Sequence, residues 1–373
     1  MPVRLLLTLM LLALAGGPAW AQDADVEVPA GAATPGPMAG TIEPIYETAT
    51  VKTVAPGATP ADKHITIELT GGAHPGTTVE VLQHLSGQAG FDLPVVPGDE
   101  IVVAELPDPL GVQAQYQIAD YQRAKPTGAL LAFVALLLLL IGGLRGLKTL
   151  GVLALTGVAV VGVLLPLTVK GVSPLPVAVG LAAAIALVTT LLTSGPGRKS
   201  WAAVAGTTAG AAIAALVGVA AAHFTRLSGV ASEEAVGAQA VAHGTIDFTG
   251  LLVAGMVVGA LGVMLDMALS ISSAVDELAE ANPGLERGLL LQAGLQVGRD
   301  LLSTSSNTLF LAYLGSFLPV LLALGSSGLA GPRLWHQETL AAEAATLAIG
   351  LVGLLAALPL TALIATWLQP ARR

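Results

Sequence analysis

The chain contains no cysteine. That excludes structural disulfides, thiol catalysis and any zinc site built on cysteine. Charge is scarce too: 11% of the 373 residues are Asp, Glu, Lys or Arg, against about 25% in an ordinary soluble domain. No cluster of Lys and Arg forms a basic patch, which argues against a nucleic-acid partner. Four Trp and four Tyr are too few for a base-stacking or sugar-binding platform. Neither the phosphate-binding pattern G-x-x-x-x-G-K-[ST] nor the zinc-protease pattern H-E-x-x-H occurs, and no serine has a convincing base. The chain therefore reads as a non-enzyme, with no cofactor and no metal.

What it has in excess is apolar residues, 54% of the total. They are unevenly placed. From Gln22 to Lys125 there are fourteen acids and four bases, whereas the rest carries eleven acids and twelve bases. The acidity belongs to one segment. Residues 1–21 hold Arg4, an apolar run and Ala19-Trp20-Ala21, the layout of a secretory signal cleaved after Ala21. Residues 22–40, rich in Pro, Ala, Gly and acids, read as a disordered linker.

Over 41–125 the period becomes two. Ile65, Ile67 and Leu69 share one face of a strand, and so do Val112, Ala114, Tyr116 and Ile118 of another. About five strands separated by Gly/Pro turns are expected, enough for a small extracytoplasmic barrel, an OB-like one being a natural closure. Over 126–369 the chain is apolar almost throughout. Seven spans of near the roughly 20 residues a bilayer needs are expected at 127–144, 150–169, 174–193, 201–222, 248–272, 303–324 and 344–367. With the β domain outside, the inner connections hold Arg145, Lys148, Arg198, Lys199, Arg287, Arg299, Arg372 and Arg373. The outer ones hold Lys170, Arg226 and Arg333. That asymmetry obeys the positive-inside rule and puts the C-terminus in the cytoplasm.

Gly206, Gly210, Ala214, Gly218 and Ala222 place a small residue at every fourth position, so a neighbouring helix can approach closely. Gly255 and Gly259 suggest that the next span is that neighbour. Such stripes permit a homo-oligomer without requiring one. Leu285 to Gly298 has apolar residues at every fourth position after Asn282-Pro283, the mark of a short helix lying at the inner interface. The histidines His64, His74, His84, His223, His243 and His336 all fall on the outer side, at no known metal spacing, and read as solvated loop residues.

The stretch from Gly255 to Gly325 holds polar groups that spans ordinarily avoid, and such groups are functional candidates. Asp266, Ser270, Ser273 and Glu277 form a stripe on one helix; Asp300, Ser303 and Asn307 share a face of the next, with Thr304 and Thr308 beside it. If the stripes face each other, they form a polar cluster open to the cytoplasm. The candidates for binding an ion are Asp266, Ser270, Ser273, Thr304 and Asn307. Arg299 and Asp300 are candidates for a cytoplasmic gate or a structural pair. Two roles stand open for Asp266: a protonatable ion-responsive group, or the partner of Arg299 in a pair that locks two helix ends.

The blocks GALGVMLDMALSISSAVDELAEANP (259–283) and GRDLLSTSSNTLFLAYLGSFLP (298–319) resemble the YibE/F-like family of bacterial membrane proteins. IADYQR and the GRKS loop at 197–200 add to the likeness, which extends over about 40–369. The resemblance implies a polytopic protein of the bacterial inner membrane with an N-terminal extracytoplasmic β region. More distantly, a Gly-rich span with an acid followed by a polar span is similar to the central helices of RND-type permeases and SecD/SecF. That likeness implies for Asp266 a part in proton-driven conformational change. The expectation is an α-helical integral membrane bundle with a small all-β domain, acting as a secondary ion- or proton-coupled transporter of an ion or small solute. The alternative is a non-transporting assembly or regulatory protein whose β domain binds an extracytoplasmic partner.

Overall fold

The computed structural model describes residues 45–57, 59, 61–72, 74–87, 92–106, 115–231, 233–241, 246–326 and 331–370. The expected signal segment and linker (1–21 and 22–40), together with Arg372 and Arg373, lie outside the described residues. The chain divides into two compact units, with the boundary between Leu137 and Leu138.

The first unit is an antiparallel five-stranded sheet. Its strands are β1 (Ile45–Pro56), β2 (Asp62–Leu69), β3 (Thr78–His84), β4 (Glu100–Leu106) and β5 (Gln115–Tyr121). The order is β3-β2-β1-β4-β5, and the edge strands β3 and β5 approach each other, so the sheet curls into a half-barrel. Alternation drives this. Ile65, Ile67 and Leu69 on β2 point inward and are buried against Ala49, Val51, Ile101, Val103 and Ile118. Each such side chain contributes about 1.5–3 kcal/mol by leaving water. Ile67→Asp would place an unpaired charge in that core.

The second unit is helical. Among the described residues six helices are long and apolar enough to cross a membrane: α1 (Ala124–Val169), α2 (Pro174–Ser194), α3 (Arg198–Thr225), α5 (Phe248–Ala281), α6 (Arg287–Ser326) and α8 (Glu338–Leu368). Between them lie the short helices α4 (Glu233–Val241) and α7 (Gly331–Leu334). The first two expected spans are thus one 46-residue helical stretch with no loop at Arg145 and Lys148. The chain nevertheless breaks there. Gly143 takes φ 54° and ψ −128°, open at little cost only to glycine. Gly146 lies so close to the Leu138 carbonyl that a Cβ on it would collide. In a straight helix those residues would stand about 12 Å apart, so the chain folds back sharply at Gly143. A π-helical turn at Val160–Leu164 precedes Pro166, whose ring and missing N–H disrupt the regular ladder upstream.

The stripe on α3 packs as expected, but against α8 as well as α5. A Cβ on Gly206 would strike Thr361, and one on Gly210 would meet Ala357 and the Gly353 carbonyl at 2.8 Å. Gly218 meets Val253 of α5 instead. Gly255 and Gly259 face away from α3: nothing lies near Gly255, and Gly259 sits against Tyr313 of α6. The segment Leu285 to Gly298 is not a separate interfacial helix. From Arg287 it is the first part of α6. Leu290, Gly294 and Gly298 are its buried face, while Leu289 is 49% exposed. Gly294 and Gly298 let α6 approach Val275 and Ile271 of α5 and Ala362 and Leu358 of α8, and this packing favours one continuous helix over two.

Polar ties fix the ends. Glu338 Oε1 accepts from the Ser228 and Gly229 N–H groups and the Ser228 hydroxyl at 2.6–3.2 Å. Asp247 caps α5 through the Gly250 N–H at 2.8 Å. At the other end, Gln369 Nε2 donates to Asp276 at 3.0 Å and Arg287 donates to the Gln369 carbonyl at 3.3 Å.

Candidate functional site

Three close approaches set the register of the antiparallel pair α5 and α6: Gly259 with Tyr313, Ile271 with Gly298, and Val275 with Gly294. By interpolation Asp266 is level with the segment from Ser303 to Ser306, and Ser270 with the segment from Arg299 to Leu302. Asp266 and Thr304 are therefore level, and Asn307 lies within about one turn of them. Closure of the two stripes onto each other is not. Asp266 and Ser270 are exposed on α5, Ser273 is half-buried, and Asp300, Ser303, Thr304, Asn307 and Thr308 are exposed on α6. The buried faces of both helices are used by apolar residues and glycines, Met264, Ile271, Gly294 and Gly298 among them. The polar stripes are left beside each other on the surface of the single chain.

Local hydrogen bonds are mostly to the helices themselves. The Ser270 hydroxyl donates to the Asp266 carbonyl at 2.9 Å and that of Thr308 to the Thr304 carbonyl at 2.9 Å. Gln296 Nε2 donates to Asp300 Oδ1 at 3.1 Å. Among the described residues no ion pair joins Asp266 to Arg299, and the Asp266 carboxylate makes no hydrogen bond. The structure does not bring Asp266 and Arg299 to the same level: Arg299 sits about 6–10 Å further along the helix axis at 1.5 Å per residue. Arg299 and Asp300 are both exposed. On α5 the exposed stripe continues through Gly255, Gly259 and Gly262, so a carboxylate lies on a face with almost no side-chain bulk. Such a face can take up a proton or cation, or admit another surface at close range.

The half-barrel holds a second polar constellation that sequence reasoning missed. Glu47 on β1, Glu105 on β4 and His74 from the β2–β3 turn bring ligating atoms within 4.8 Å of one another. The Glu47 side chain has no exposed area, and His74 Nδ1 stands 3.9 Å from its Oε1. Tyr116 pairs with Glu105 across the β4–β5 ladder. Burial, then the charges of Glu105 and Glu47, push its hydroxyl above the usual tyrosine range. The missed signal was a break in alternation: Glu47 and Glu105 occupy inward positions in line with Ala49 and Val51, and with Ile101 and Val103. His64 and His84 do otherwise, pairing on the outside with Glu80 at 3.0 Å and Asp62 at 2.8 Å. His243 lies outside the described residues.

Residues 130–371 match the YibE/F-like protein family. The chain belongs to that family. The match takes in every residue of the α5–α6 polar face and begins after the last strand of the half-barrel. No curated protein and no solved structure matches the chain.

Proposed function

We propose that this YibE/F-like chain is a secondary ion- or proton-coupled transporter or exporter of the bacterial inner membrane, with Asp266 as its ion-responsive group. The observation that carries this is an Asp266 carboxylate in the middle of an apolar helix with no ion pair or hydrogen bond among the described residues, level with the hydroxyl-rich turn of α6. An ionisable group in such a place is costly and marks a proton or ion pathway by default. Ser270, Ser273, Thr304 and Asn307 line the path, and Arg299 with Asp300 closes its cytoplasmic end. Both limbs of α1 cross the bilayer, making seven crossings. The half-barrel then stands outside and the C-terminus inside, a placement that the distribution of Lys and Arg supports.

The exposure of the polar face favours a second reading, in which a partner membrane protein or a second copy covers it and no solute moves. Proteoliposomes loaded with a pH-sensitive dye and challenged with cations and small solutes separate the two. Transport predicts solute-dependent proton movement by the native protein and none by Asp266→Asn of equal stability. No movement by the native protein across the panel sinks transport and leaves the covering partner, whereas equal movement by both removes Asp266 as the ion-responsive group.

A further inference from the structure

We propose that one end of the half-barrel binds a divalent transition cation of the zinc class through Glu47, Glu105 and His74. Strand pairing builds the site. Glu47 stands opposite Val103 on β4, and Ile45, two residues earlier, stands opposite Glu105. The two glutamates are therefore diagonal neighbours on one face of adjacent strands, within reach of each other's side chains. That face is the inner one, so both carboxylates enter the apolar interior.

The turn between β2 and β3 supplies the third donor. Gly72 has φ +104°, and a Cβ there would lie 2.5 Å from the Glu47 carboxyl carbon and 2.7 Å from Oε1. Only glycine meets both demands, so the turn rests on the carboxylate and His74 is delivered to its rim. Glu105 Oε2 is buried and has no hydrogen-bond partner among the described residues. Three of the unit's four bases are engaged elsewhere, Lys52 with Glu68, Arg123 with Asp120 and Lys125 with Glu100, and Lys63 stands at the end of β2 opposite to the β2–β3 turn. Two carboxylates brought together in low dielectric repel each other and call for a positive charge between them.

One imidazole nitrogen and two carboxylate oxygens suit zinc and similar transition ions better than calcium or magnesium, which take all-oxygen shells. Zinc bonded at about 2.0–2.2 Å spaces its donors about 3.3–3.6 Å apart, so the exposed His74 has a short distance to close. Three protein donors leave a fourth position for water or another ligand.

The test uses the full chain, tag-free, in detergent micelles and stripped with EDTA. Zinc bound after equilibrium dialysis is measured by mass spectrometry, with magnesium as the control ion. About one zinc per chain is expected, with affinity at least about tenfold weaker in His74→Ala and in Glu105→Gln. Magnesium should not compete at equal concentration. No zinc retained by the native chain, or the same affinity in His74→Ala, overturns the site. His74 is exposed, so its substitution reads binding without disturbing the core, whatever Glu105→Gln does to folding.

Discussion

The Tyr313 hydroxyl on α6 occupies the place where a Cβ on Gly259 of α5 would sit, and that hydroxyl is buried with no hydrogen-bond partner among the described residues. The pair therefore sets how closely the two helices run at the level just beyond Asp266. Gly259→Ala must displace the ring, at about 1–3 kcal/mol for an overpacked site. Tyr313→Phe removes the colliding atom and an unsatisfied polar group together, so alone it is neutral or stabilising. In the Tyr313→Phe background Gly259→Ala should cost under about 0.5 kcal/mol, giving a clear coupling in a double-mutant cycle. Thermal unfolding in micelles reads it, and equal costs in both backgrounds would refute the contact.

Asp266 and Arg299 act separately in this geometry, because their levels differ by more than a helical turn. A locked pair would make Arg299→Gln reproduce Asp266→Asn. The expectation is the reverse: proton movement is lost in Asp266→Asn and kept in Arg299→Gln. The stability changes of the two should add within about 0.5 kcal/mol. A coupling energy well above that would restore the pair.

The sharp bend at Gly143 makes a topological prediction. With no native cysteine, single cysteines report sidedness cleanly. A cysteine at Lys148 and one at Gln369 should both react with a membrane-impermeant thiol reagent from the cytoplasmic side. A cysteine at Lys170 should react from the opposite side. Labelling of Lys148→Cys from outside would mean that α1 crosses once, and would invert everything after it. Gly143→Val, forced to φ 54°, should disturb the bend and lower the yield of inserted protein.

The strands and apolar helices were legible because their periods are local: Ile65, Ile67 and Leu69 declare an inward face within five residues. The breaks were less so. Arg145 and Lys148 look like a loop, yet the backbone resumes helical hydrogen bonding at once and only Gly143 leaves it. Polar Gln292, Gln296 and Arg299 divide an apolar run on paper, while Gly294 and Gly298 keep α6 whole by packing on two other helices. The facing of α5 and α6 was not legible, since it depends on which side the glycines bury. The Glu47, Glu105 and His74 cluster was harder to see, because only the break in alternation hinted at it. Its members are far apart in sequence: strand register joins the two glutamates, and the β2–β3 turn adds His74.

Asp62 gives a pH prediction outside the membrane. Its carboxylate accepts from the His84 ring at 2.8 Å and from the Thr59 hydroxyl and N–H at 2.7 and 3.2 Å. It thereby ties the β1–β2 turn to the end of β3. These hydrogen bonds, that of His84 foremost, hold Asp62 below its ordinary value of 3.8. A carboxylate lowered on folding stabilises the folded form above its unfolded pKa, and that contribution is lost as the pH falls through the folded value. The tie should therefore be intact at neutral pH and fail only on the acid side of 3.8. Spectra of the full chain labelled with carboxyl-¹³C aspartate, assigned with Asp62→Asn, should show one resonance titrating below the free-aspartate range. His84→Ala should move it upward, and Thr59→Ala should move it by less. A resonance unmoved by His84→Ala would show that the ring contributes nothing to the charge state of Asp62.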